Sequence, residues 1–122
     1  MNVAVIGASN KPDRYSYQAV MLLKEKGYTV YPVHKTIPEI EGIRVYPSVK
    51  DIPNSVDTIS LYVSKEISSG LSEQLISKKP RRIIFNPGTE NPDLESQAAA
   101  KGIRTLNACT LVMLRTGQFD KN

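Results

Sequence analysis

The sequence predicts an α/β protein with a Rossmann-like, doubly wound parallel sheet of about five strands and helices on both faces. Three observations support this class. Short runs of β-branched residues alternate with longer helical segments. Glycines end several of these segments, as at Gly7 and Gly27. No internal repeat or linker divides the 122 residues, so we expect one domain over residues 1–122.

Five segments have the composition of strands buried in a parallel sheet, because each is short and rich in valine, isoleucine or other strand-forming residues. They are residues 2–6, 28–33, 58–63, 81–85 and 103–106. Right-handed crossovers make the strand order 3-2-1-4-5 the simplest arrangement, with strands numbered along the chain.

The first predicted helix covers residues 16–26. Ala19, Leu22 and Leu23 recur at the spacing of one helical face. Gly27 stands just past the last turn, where glycine commonly terminates a helix. We therefore expect this helix to connect the first two strands.

Two further helices are predicted. Residues 65–78 form a weaker one, because Gly70 and several serines lower its helical propensity. Residues 92–101 have strong start signals, since Asn91 can cap the helix and Pro92 suits its first turn.

The remaining segments show weaker patterns. Residues 34–55 contain three prolines and are expected to be mostly irregular, with one helical turn at residues 48–51. A short apolar tail, residues 111–114, follows the last strand.

A ligand site is expected beyond the carboxyl ends of the strands, where the strand order reverses. The predicted order places this reversal between the first and fourth strands. The loops at that point are residues 7–15 and 86–91, and the loops at residues 34–37 and 60–64 flank them.

The loop after the first strand has the composition of a phosphate-binding loop. Gly7 permits a tight turn and a close approach to a phosphate, and the small residues after it leave space. Lys11 and Arg14 supply positive charge, while Ser9 and Ser16 supply hydroxyl groups. The first amides of the following helix also suit an anion.

The same region argues against NAD as the ligand. The dinucleotide fingerprint uses three glycines and an acidic residue after the second strand. This loop contains only Gly7, and Lys35 follows the second strand where the acid would be. A lysine there suits a ribose that carries a phosphate, which is a property of both NADP and coenzyme A (CoA).

Three groups of residues occur in order along the chain. They read Val5-Ile6-Gly7-Ala8-Ser9-x-Lys11-x-x-Arg14-x-Ser16, Gly27-Tyr28-x-Val30-x-Pro32-Val33 and Tyr46-Pro47-Ser48-x-x-Asp51-Ile52-Pro53. Together they resemble the small stand-alone CoA-binding domain proteins, which are similar to the CoA-binding domain of the succinyl-CoA synthetase α subunit. The resemblance implies a Rossmann-like, nucleotide-binding fold with CoA or an acyl-CoA bound along its carboxyl edge.

The resemblance also implies binding residues. Carried over by position, the residues that would hold the diphosphate are Gly7, Ala8, Ser9, Lys11, Arg14 and Ser16. Pro32, Val33 and Lys35 would border the adenosine end. Many family members carry Pro-Val-Asn-Pro-Lys after the second strand. This chain has Pro-Val-His-Lys-Thr there, so its lysine comes one residue earlier.

The sequence shows no evident catalytic or metal-binding group. Cys109 is expected to be a small buried residue rather than a nucleophile. His34 is expected to contact a ligand or lie in a solvated loop, and one histidine with one distant cysteine cannot form a zinc site. The synthetases use a grasp-type nucleotide domain, for which 122 residues leave no room. We therefore expect binding without evident catalysis.

The charge and hydropathy pattern limits the partners. A net charge of +4 favours an anionic ligand, and the densest basic cluster, residues 78–82, is expected opposite the site, so we expect no nucleic acid. No apolar run approaches ~18 residues and the amino terminus is not a signal peptide, so we expect no membrane association. A single cysteine fits a cytoplasmic location.

Two alternatives remain open. The chain could be a small NADP-dependent enzyme or nucleotide sensor on the same fold. It could also be a protein-interaction module whose ligand site is empty, since a protein partner is compatible with the sequence.

Overall fold

A five-stranded parallel sheet forms the centre of the computed structural model, which describes residues 1–121. In chain order the elements are β1 (Asn2–Ile6), α1 (Tyr15–Glu25), β2 (Thr29–Val33), β3 (Glu39–Ile40), β4 (Ile43–Arg44), β5 (Thr58–Leu61), α2 (Lys65–Ser77), β6 (Arg82–Phe85), α3 (Pro92–Ala100), β7 (Arg104–Asn107) and α4 (Thr110–Arg115). Single 3-10 turns occur at Val49–Asp51 and Phe119–Lys121. The predicted α/β class, with a doubly wound parallel sheet, is confirmed.

The strand order is β2-β1-β5-β6-β7, which differs from the predicted order. The predicted order 3-2-1-4-5 counts only the strands of the main sheet, in chain order. It placed the third of these strands beside the second. That strand is β5, and it lies beside β1 instead. The place beyond β2 is taken by the following segment, because Tyr46 N–H donates to the Pro32 carbonyl at 2.9 Å and the Tyr46 carbonyl accepts from His34 N–H at 3.0 Å. The chain must therefore pass back across β1 before the third strand can pair.

Helices cover both faces of the sheet. The β1 side chains alternate, so that Val3 and Val5 belong to the apolar cluster with α1 and α4. Ala4 and Ile6 belong to the cluster on the other face, with α2 and α3. Each face thus has its own core, and the carboxyl ends of the strands are left for the loops.

The buried face of α1 differs slightly from the predicted one. The structure buries Ser16, Ala19, Val20 and Leu23, which follow the i, i+3, i+4, i+7 spacing. Leu22 is only half-buried. The face that meets the sheet is therefore rotated away from Leu22, and it brings the Ser16 end of the helix close to β1.

Two short elements depart from the sequence expectations. The antiparallel pair β3 and β4 lies within the segment that was expected to be irregular. The apolar tail forms α4, whose first amide, Thr110 N–H, donates to the Asn86 side-chain oxygen at 2.8 Å. The helical turn predicted at residues 48–51 is present as the 3-10 turn Val49–Asp51.

The basic cluster at the amino end of β6 is largely structural. Arg82 is fully buried. Its Nε donates to Thr58 Oγ1 at 2.7 Å, and its guanidinium lies 4.3 Å from the centre of the Phe119 ring. Arg81 forms an ion pair with Asp57 at 3.2 Å. These contacts lie at the amino edge of the sheet, opposite the predicted site.

Candidate functional site

The reversal of strand order lies between β1 and β5, so the loops that follow these two strands form the site. The prediction had placed the reversal beside the loop at residues 86–91. The structure replaces that loop with residues 62–64, which follow β5 directly. Tyr62 and Val63 from this loop face the predicted phosphate-binding loop across one cavity.

The first cavity, of about 660 Å³, is formed mainly by the loop after β1. Its lining includes Gly7, Ala8, Ser9, Lys11, Arg14 and Ser16. All six residues predicted to hold a diphosphate are therefore brought together in one place. Lys11 and Arg14 are exposed at this cavity, beside a single carboxylate, that of Asp13.

The second cavity, of about 440 Å³, lies between the end of β2 and α2, and its lining is mostly apolar. Val33 contributes from β2, Val63 from the loop after β5, and Ile67 and Leu71 from α2. Lys35 also borders it. The composition matches a flat apolar group with a charged substituent at its edge.

The two cavities share Gly7, His34 and Val63 in their linings, so they meet above the end of β1. Two of the residues predicted for the adenosine end, Val33 and Lys35, line the apolar cavity. Pro32 lines neither cavity, because it is buried within β2. It supports the site only through the backbone of β2.

Gly7 is required by the backbone at the junction of the cavities. Its φ is +85°, a backbone conformation that residues other than glycine rarely adopt. A Cβ at this position would lie 2.7 Å from Val63 Cγ1 and 3.0 Å from the Tyr62 carbonyl oxygen. The N–H groups of Gly7 and Ala8 both donate to the Val33 carbonyl at 3.1 Å, which fixes the loop against β2.

The amino terminus of α1 opens on the first cavity. Arg14 is its N-cap residue, and no side chain caps the helix. The first turn carries no acidic residue. The first-turn amides and the positive end of the helix dipole are therefore available to an anion. Ser9 contributes to the shape of the loop, because its Oγ accepts from Lys11 N–H at 3.1 Å.

His34 is held in a defined orientation. Its ring Nδ1 accepts from the N–H groups of Thr36 at 3.1 Å and Ile37 at 3.2 Å. The imidazole therefore closes the turn after β2 while bordering both cavities. The ring is therefore held by the backbone of its own loop, and a ligand contact of His34 stays a prediction.

A buried polar group supports the carboxyl ends of β5 and β6. Asn86 Nδ2 donates to Ser60 Oγ and to the Leu61 carbonyl, both at 2.9 Å. The Ser60 and Thr110 hydroxyls are hydrogen-bonded to each other at 2.8 Å. The Tyr62 hydroxyl beside them is left buried without a partner among the described residues, and burial raises the pKa of Tyr62.

Sequence reasoning missed the part of the apolar cavity that α2 provides. Val63 was expected at the end of the third strand and in the loop at residues 60–64 that flanks the site, and the structure ends β5 at Leu61. Ile67 and Leu71 were read only as part of a weak helix. The sequence offered one signal, because these two apolar residues stand four positions apart in a serine-rich helix. The structure leaves Ile67 53% exposed.

Residues 1–121 contain no cluster of three or more histidine, cysteine, aspartate or glutamate side chains that could hold a metal ion. Within the same residues, none of the helices has the length and apolar character needed to cross a bilayer. Cys109 is free and half-buried.

Comparisons with known proteins agree with the geometry. A crystal structure of an uncharacterized protein superimposes with a TM-score of 0.90 at 36% identity, covering 97% of each chain. The uncharacterized protein YneT of Bacillus subtilis (strain 168) is 27% identical over 100 residues, which cover 82% of this chain and 74% of the relative.

A ligase subunit is also similar over part of its length. The α subunit of acetate–CoA ligase (ADP-forming) II from Pyrococcus furiosus is 45% identical over 65 residues. This match covers 52% of the present chain but only 14% of the subunit.

The family model described as CoA binding domain matches residues 1–115. This match spans both cavities and every strand of the sheet, and it confirms the resemblance inferred from the sequence motifs. The chain therefore belongs to the CoA-binding domain family.

Proposed function

We propose that the chain binds CoA or an acyl-CoA in the two joined cavities and that it does so without catalysing a reaction by itself. The observation that carries this proposal is the meeting of a cationic cavity and an apolar cavity above Gly7. A ligand with a diphosphate next to an adenosine has the matching distribution of charge and apolar surface.

In this proposal the diphosphate occupies the cavity after β1. Lys11 and Arg14 neutralise its charge, and the uncapped amino terminus of α1 supplies N–H donors. The loop residues Ser9 and Ser16 add hydroxyl groups, and Gly7 and Ala8 allow the close approach. Burial of Ser16 fixes its position at the floor of the cavity.

The adenosine occupies the cavity between β2 and α2. Val33, Val63 and Leu71 provide apolar surface for a purine ring. Lys35 is exposed at the edge of this cavity, where it can meet a phosphate on the ribose. Pro32 holds the backbone of β2 beneath them.

Family membership supports the CoA class of ligand. The similar acetate–CoA ligase subunit is named for a reaction that uses CoA, and the 65 aligned residues of the present chain correspond to 14% of it. We extend only CoA binding to this chain, because the ligase contains much additional sequence. A cytoplasmic location and a possible protein partner stay predictions.

NADP is the second candidate ligand. Lys35 favours it, because a cation after β2 suits the ribose phosphate of NADP as well as that of CoA. The loop after β1 counts against it, since it carries one glycine where the dinucleotide fingerprint has three. An interaction module with an empty site would need a blocked or uncharged cavity, whereas this cavity is open and carries two cations.

Titration calorimetry with CoA, acetyl-CoA, NADP and NAD tests the proposal. We expect CoA to bind more tightly than either nicotinamide nucleotide. Lys11→Ala and Arg14→Ala should each raise the Kd for CoA roughly tenfold, because each removes a charge-assisted contact to a phosphate. Lys24→Ala is the matched control, since Lys24 is exposed in the last turn of the same helix.

Three outcomes separate the candidates. Unchanged CoA binding in the Lys11 and Arg14 variants would place the site elsewhere. Binding of NADP alone would support the nicotinamide alternative. No binding of any of the four compounds would favour an interaction module.

A further inference from the structure

Among residues 1–121, His34 is the one residue of β2 and the loop after it that lines both proposed ligand cavities. It is the first residue after β2, and its N–H donates to the Tyr46 carbonyl at 3.0 Å. Its backbone is therefore fixed by the segment that covers β2. The side chain lies where an adenosine in one cavity would join a diphosphate in the other.

The hydrogen bonds of the ring assign its tautomer. Nδ1 accepts from the N–H groups of both Thr36 and Ile37, so Nδ1 carries no proton. A neutral imidazole with an unprotonated Nδ1 carries its proton on Nε2. Nε2 lies across the ring from the turn that Nδ1 closes, and a single N–H donor is thus left on the other edge of the ring.

We infer that His34 donates its Nε2–H to the phosphate of the diphosphate that is bonded to the adenosine. This makes His34 a specificity-determining residue for ligands in which an adenosine is joined to such a phosphate. This inference rests on the proposed function, because it requires the adenosine and the diphosphate to occupy their respective cavities. The donor is neutral and directional, in contrast to the mobile charges of Lys11 and Arg14. It recognises the position of one phosphate oxygen rather than negative charge in general.

Two substitutions separate the two roles of the ring. In His34→Asn, the side-chain oxygen can take the place of Nδ1 and accept from the Thr36 and Ile37 amides, but nothing reaches the position of Nε2. In His34→Gln, the longer side chain can place an amide donor near the Nε2 position but closes the turn less well. The ligands are CoA, AMP and adenosine, of which adenosine lacks the phosphate.

We expect His34→Asn to keep the thermal stability of the free protein and to raise the Kd for CoA and for AMP roughly tenfold. Its Kd for adenosine should stay unchanged. His34→Gln should unfold at a lower temperature but retain CoA binding within about threefold. The ratio of AMP to adenosine affinity is the readout that a purely structural role would not move.

Equal CoA affinity in His34→Asn and the wild type would overturn the inference and leave the proposed function intact. An equal loss for CoA and adenosine would also overturn it, because it would assign His34 to the shape of the site. Failure of the wild-type protein to bind CoA would overturn the proposed function and the inference together.

Discussion

The amino termini of α1 and α3 lie at the same edge of the sheet, but only that of α3 is capped by a side chain. Asn91 at the start of α3 is fully buried, and its Oδ1 accepts from Leu94 N–H at 3.1 Å. Acidic residues follow in its first turn, as expected beside the positive end of a helix. The start of α1 has Arg14 in place of a cap and no acid in its first turn, although Asp13 precedes it. One helix is capped by a side chain of its own, and the other has no side-chain cap.

The comparison teaches how a binding site differs from a stable helix end. Capping by asparagine, serine or aspartate satisfies the orphan amides within the chain. A helix that binds an anion must forgo that stabilisation in the free protein. The sequence records the difference, because two cations and one acid, Asp13, precede α1, whereas the charged residues near the start of α3 are all acidic.

The largest expected effect is on stability, in Asn91→Ala. Asn91 also donates through Nδ2 to Ser68 Oγ at 2.8 Å, so the change removes a cap and leaves a buried hydroxyl without its donor. We expect a loss on the order of 2–3 kcal/mol in the free energy of unfolding, measured by urea denaturation. CoA affinity should not change. Asn91→Asp keeps the cap but loses the donor, so its free energy of unfolding should lie between those of the wild type and Asn91→Ala.

The next largest effect is expected for Arg14→Asp, which would remove the difference between the starts of α1 and α3. An aspartate at the N-cap would give α1 the kind of start that α3 has. We expect the free protein to gain about 1 kcal/mol of stability and the Kd for CoA to rise on the order of 100-fold. Urea denaturation and calorimetry on the same preparation measure both. A variant that gained stability without losing affinity would show that the ligand does not use this helix end.

The smallest effect concerns the amino edge of the sheet, far from both helix starts. Burial alone would raise the pKa of Asp57, but hydrogen bonds from Arg81 and Thr58 outweigh it and lower the pKa overall. A lowered folded-state pKa means that the pair stabilises the fold above pH ~4 and that this stability is lost as the pH falls further. We expect Asp57→Asn to cost less than about 1 kcal/mol at pH 7 and nothing near pH 2. A cost that persisted at low pH would contradict this account.

The parts that were predicted from sequence are those in which local chemistry decides the structure. Asn91 and Pro92 specify the start of α3, and Gly7, Lys11 and Arg14 lie within a few residues of each other in the loop that lines the first cavity. Family membership could be predicted for the same reason, since its motifs are short and ordered.

The parts that were not predicted depend on contacts between distant residues. The place of β5 depends on Tyr46 bonding beside β2, which no local pattern shows. The loop at residues 60–64, which contains Val63, was expected to flank the site, but the apolar face of α2 was left out of it. The helix α4 was missed because its six residues are stabilised by a tertiary partner, the side chain of Asn86.

The covered edge of β2 has a consequence for self-association. Sheets polymerise when each molecule offers an open strand at both ends, so that copies can add without limit. Here β2 contains Pro32, which has no N–H to donate to an added strand. The Pro32 carbonyl already accepts a hydrogen bond from Tyr46 N–H. Addition of another strand beside Pro32 is therefore blocked.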